Sequence, residues 1–141
     1  MVQAARISIT GTQSMEDAEP QTLKLVTDGS YCYEPGFALL SYVESEMTGL
    51  EGVVTSFRIE DGQTVTLRRT GKVNAEMVFD RRQAHESLYD VGFGAMMISV
   101  VTEDMTVLLN EHGGVLDLDY RVVVEHALCS RNRYHIEIQT I

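Results

Sequence analysis

In the run Val65-Thr66-Leu67-Arg68-Arg69 the parity that puts Val65 and Leu67 on one apolar face puts Arg69 on that face too, with Arg68 on the other. A guanidinium aimed into a sheet interior needs a partner, because it keeps its charge and an unpaired buried charge costs many kcal/mol. A carboxylate or a bound anion satisfies its planar fork. The chemistry on offer is capture of a ligand carboxylate at Arg69. Against it stand a structural pair with an internal acid such as Glu44 and escape to solvent beside Gly71.

A second polar tip sits on an apolar face in Leu116-Asp117-Leu118-Asp119-Tyr120-Arg121-Val122. Here Leu116, Leu118, Tyr120, Val122, Val124 and His126 share one side, and Asp117, Asp119, Arg121 and Glu125 the other. An inward tyrosine hydroxyl either finds a hydrogen-bond partner in a closed core or orients a ligand in a pocket. His126 at the end of the same face could ligate a haem iron from one side or serve as a hydrogen-bonded core residue. Met77, Phe79 and Met96 supply adaptable apolar wall. The candidate ligand-binding set is therefore Arg69, Met77, Phe79, Met96, Tyr120 and His126.

Catalytic and metal signatures are absent from the sequence. His85, His112, His126 and His135 form no His-x-His pair and no His-Glu-x-x-His helix, and Cys32 and Cys129 are far apart, so neither a metal site nor a cofactor is expected. There is no Gly-x-Ser-x-Gly elbow and no phosphate-cradling glycine loop. No catalytic residue is assigned. An enzyme with a shallow mouth site using Arg69, Glu44 or His112 stays open as an alternative.

The elements that must position these residues are strands. Turn residues cut the chain every eight to twelve or so residues, and no helix-period window of ten residues interrupts them, which points to an all-β fold. Asp61-Gly62 supplies the positive φ angles of a tight hairpin, so Val53 to Ile59 should pair with Thr64 to Thr70. Further strands are expected at Ile7 to Thr10, Thr22 to Tyr33, Phe37 to Met47, Val73 to Phe79, Leu88 to Val91, Ala95 to Thr102, Thr106 to Glu111, Val115 to Ala127 and Tyr134 to Ile138. Thr12 to Pro20 and Asp80 to Glu86 each read as a loop or at most one helical turn, with turns at Glu103-Asp104, Gly113-Gly114 and Ser130-Arg131-Asn132. Short connections favour an antiparallel up-and-down meander closed into a barrel, since closure removes exposed edges. In the third strand Phe37, Leu39, Val43 and Met47 make the more apolar side. That leaves Tyr42 and Glu44 outside unless a bulge near Gly36 shifts the parity.

The residues Gly29-Ser-Tyr31, Ser41-Tyr42-Val-Glu44, Gly49-Leu-Glu-Gly52, Arg69-Thr-Gly71, Met77-Val-Phe79, Tyr89 and Leu118-Asp-Tyr120 resemble, in order and spacing, the YwiB-like family of small bacterial calycin-like β-barrels. The resemblance covers nearly the whole chain. It implies a lipocalin-like meander of about eight strands, with some of the segments above merging across glycine bends such as Gly29. It implies a bacterial origin and brings no catalytic residues.

Length and charge bound the partners. A chain of 141 residues, 44% hydrophobic and 23% charged, fits a single domain spanning residues 1–141. Acids outnumber bases 21 to 11, a net charge of -10, which disfavours nucleic acid and anionic membrane surfaces. The N-terminal residues lack a signal-peptide pattern, so a cytoplasmic location with both thiols reduced is expected. The leading expectation is a non-catalytic barrel that binds a small apolar or amphipathic molecule inside. The rival is a protein-interaction module with a packed interior.

Overall fold

Alternation of inward apolar and outward polar side chains is carried from strand to strand by pairing between sequence neighbours, and the last strand closes on the first. The computed structural model describes residues 2–15, 18–90, 92, 94–125 and 127–141, with the backbone alone at Leu128. Among these, ten antiparallel strands form the barrel: β1 (Val2–Met15), β2 (Gln21–Glu34), β3 (Phe37–Val43), β4 (Val54–Glu60), β5 (Thr64–Thr70), β6 (Asn74–Asp80), β7 (His85–Asp90), β8 (Ala95–Asn110), β9 (Gly113–Val124) and β10 (Leu128–Thr140). The all-β, closed up-and-down barrel expected from the sequence is thus the observed one, with ten strands where about eight were expected.

The hairpin at Asp61-Gly62 carries the positive φ angles that its residues favour, 53° and 64°, and β4 pairs β5 from Val54↔Thr70 to Glu60↔Thr64. Elsewhere several boundaries move. β1 runs on to Met15, through part of the segment read as a loop, because its last residues pair with both β2 and β10. Glu103-Asp104 is not a turn but a bulge, where the pairing of β8 with β9 slips between Thr102 and Asp104 while the strand continues. Ser130-Arg131-Asn132 lies inside β10, and the reversal before it falls after Val124, where Glu125 takes φ 52°. Gly113-Gly114 opens β9 rather than forming the turn. β2 passes through Gly29 unbroken. A Cβ there would collide with the Ser41 carbonyl oxygen and lie 2.8 Å from Ile7 Cδ1, so only glycine lets β1, β2 and β3 approach at this bend.

The interior is filled by side chains from all ten strands, led by Tyr31, Leu40, Phe57, Leu67, Phe79, Val100, Leu116, Leu118 and Ile136, with β7 adding the half-buried Tyr89. The wall is uneven. Among the described residues β6 and β7 share only the pairs Asn74↔Asp90 and Ala75↔Tyr89, and beyond them the Ser87 hydroxyl donates to the Glu76 carbonyl. The connections after β1, β3, β5, β7 and β9 gather at one end of the barrel, here called the mouth. The start of β1 and the end of β10 meet at the other.

Candidate functional site

Successive partners across the sheet set one row of inward side chains near the mouth. Register aligns Tyr42 with Thr55, Thr55 with Arg69, Arg69 with Ala75 and Ala75 with Tyr89. Arg69 is thus carried inward by the parity of Val65 and Leu67, as its sequence implies, and lies largely out of solvent. Its Nη2 donates to the Tyr134 hydroxyl at 3.3 Å. Its Nε is buried without a partner, as is the Thr55 hydroxyl beside it. No ion pair joins Arg69 to an acid within 4.0 Å among the described residues, so the structural pair with Glu44 is not formed.

Glu44 is nonetheless inside, and so is Tyr42, at 5% and 7% exposure. This corrects the outward placement favoured by counting apolar residues on β3. Ala38, Leu40 and Tyr42 face the core, while Leu39 and Val43 face solvent. No bulge is involved, since β3 keeps an unbroken register with β4. Inward positions at the mouth are simply polar. Beyond β3, Ser45 caps a 3₁₀ turn at Glu46–Thr48 that folds back over this end. The Thr48 hydroxyl meets Glu44 Oε2 at 3.1 Å and the Ser45 carbonyl at 3.1 Å. Burial first, then the neighbouring Glu44, pushes the Tyr42 phenol well above its ordinary value.

Tyr134 joins the two halves of the site. Its ring lies over Gly11, where a Cβ would come within 3.2 Å of Tyr134 Cε1, so the glycine in β1 makes room for it. It packs edge-on to Phe57, with centroids 6.1 Å apart, and leans on Tyr120 at 6.1 Å. Tyr120 is buried as expected. Burial above all holds its phenol well above the ordinary value. Tyr120, Tyr134 and Thr48 wall an open cleft of about 590 Å³ between the ends of β1, β2 and β10 and the 3₁₀ turn, and Leu23 and Met47 add apolar surface.

The other sequence candidates lie elsewhere. Met77 and Phe79 are packed in the core, Phe79 against the Tyr120 ring with centroids 4.6 Å apart, and neither lines the cleft. Met96 is 39% exposed near the start of β8 and does not line it either. His126 lies outside the described residues. His112, in the turn between β8 and β9, is at the end opposite Arg69 and Glu44. Thr48, Thr55 and Tyr134 were not singled out from the sequence. The parity of Ile136 and Ile138 is the signal that places Tyr134 inward. Among the described residues no group of three or more His, Cys, Asp or Glu is placed to hold a metal, and no helix is long and apolar enough to cross a membrane.

A family model described as a domain of unknown function (DUF1934) matches residues 7–136. No curated protein matches the chain. Among solved structures, the crystal structure of the ywiB protein from Bacillus subtilis matches with a TM-score of 0.81 at 17% identity, covering 99% of this chain and 93% of that one. The likeness is one of fold.

Proposed function

The chain belongs to the DUF1934 family, whose description assigns no activity, and from its own geometry we propose that it binds a small amphipathic molecule at the mouth of the barrel. The head group faces Tyr134, with Arg69 behind it, and the apolar part lies on Leu23 and Met47. The observation that carries this reading is Arg69, a permanent charge largely out of solvent and bonded to one neutral hydroxyl, with its Nε buried and unpartnered and no acid in contact among the described residues. A guanidinium of that kind favours an anionic oxygen nearby. The packed interior supports a ligand at the mouth better than one deep among Met77 and Phe79. It also favours the second reading, an interaction module, because Val43 and Val54 pair side by side on the outer wall at 58% and 41% exposure. The split of Arg69 and Glu44 from His112 argues against an enzyme site built from all three.

Native mass spectrometry of the protein purified from bacterial cells tests the proposal, run beside an Arg69→Met variant. We expect a small bound species on the wild type that the variant lacks. The variant should melt at the same temperature or about 3 °C higher, since removing one unsatisfied buried donor relieves about 1 kcal/mol. Apo masses for both proteins, with a lower melting temperature in the variant, would make Arg69 structural and turn attention to the outer patch.

A further inference from the structure

We infer that the head group selected by this cleft carries a hydrogen-bond donor beside its anionic acceptor, as the ammonium and carboxylate of a free amino acid do. The inference rests on the binding site proposed above and follows from counting protons. A hydroxyl has one proton to give and two lone pairs to receive. The two groups near Thr48 Oγ1, the Glu44 carboxylate oxygen and the Ser45 carbonyl, only accept. The single Thr48 proton is therefore committed inward, and its oxygen is left to accept from a molecule in the cleft.

Tyr134, which lines the same cleft, has the reverse polarity. Arg69 can only donate, so its contact takes a lone pair of the Tyr134 oxygen. Among the described residues no hydrogen bond within 3.5 Å takes the Tyr134 proton. The Tyr134 proton remains for an incoming oxygen. One cleft is thus lined by an accepting hydroxyl bonded to Glu44 and a donating hydroxyl bonded to Arg69. Glu44 and Arg69 form no ion pair within 4.0 Å, and each is bonded to the hydroxyl of matching polarity. An ammonium suits the Thr48 side and a carboxylate the Tyr134 side.

Isothermal titration calorimetry at pH 7 and 150 mM salt tests this with L-phenylalanine, 3-phenylpropionate and 2-phenylethylamine, which share one ring and spacer and differ in the head group. L-Phenylalanine is expected to bind about tenfold or more tighter than either analogue, the worth of one charge-assisted hydrogen bond. A Thr48→Val variant should bind 3-phenylpropionate as the wild type does while losing the advantage of L-phenylalanine. If 3-phenylpropionate binds the wild type as tightly as L-phenylalanine, the donor requirement is overturned and the amphipathic-anion reading stands. Binding of 2-phenylethylamine alone, or of none of the three, overturns both.

Discussion

On the outer wall His135 places Nδ1 against Asp117 and Nε2 against Glu137, and the Asp117 bond, then the Glu137 bond, raises the imidazole above its ordinary value. A raised folded-state pKa stabilises fully below the unfolded value near 6.5 and loses its effect as pH climbs through the raised one. Asp117→Asn should therefore destabilise the protein at pH 6 by at most about 1 kcal/mol, given solvent screening of the half-exposed pair. The gap to wild type should close by pH 9. Urea melts at both pH values check this, and an equal gap at both would remove His135 as its source. In the site itself, the inward turn of Arg69 and Tyr120 was legible from simple parity, because apolar neighbours on the same strand fix the face. Thr48 was not legible: it acts from a 3₁₀ turn where alternation says nothing, and its meaning depends on a bond to Glu44 that only the fold creates.

At the scale of elements, β3 shows why hydrophobic counting fails near a site. Leu39 and Val43 outweigh Tyr42 and Glu44 in apolar character, yet the register with β4 puts the polar pair inside. A strand whose inner face turns polar at the mouth gives up its apolar signal there, so the pattern misleads at this end of the barrel. β5, which is apolar inward until Arg69, was read with its observed ends Thr64 and Thr70. Long strands were cut short because bulges and bends imitate turns in sequence, as Glu103-Asp104 does in β8. The bend at Gly29 gives the sharpest test of this level. Gly29→Ala should cost about 3 kcal/mol or more, because the new methyl meets the Ser41 carbonyl oxygen, a backbone atom unable to swing aside. Urea denaturation with a loss below about 1 kcal/mol would mean that β2 and β3 can part at little cost.

For the whole molecule, a net charge of -10 on a small barrel makes self-repulsion the dominant long-range term, since the surface ion pairs such as Arg68–Glu76 and Arg121–Glu103 are solvated and individually weak. Raising sodium chloride from about 20 to about 200 mM should lift the melting temperature by about 2 °C through screening. A fall would show instead that local pairs outweigh the repulsion. The same molecule is held shut by β10, which lies between β1 and β9 and binds both. Pairs such as Ala5↔Thr140 join residues nearly a chain length apart. As the polypeptide leaves the ribosome, β1 and β9 carry raw edges until residues 128–140 emerge, and the final ring closure carries the largest loop-closure cost in the fold. The interval before it is when the chain is most open to strand exchange with its neighbours. A chain arrested short of β10 would be an aggregation seed rather than a smaller barrel.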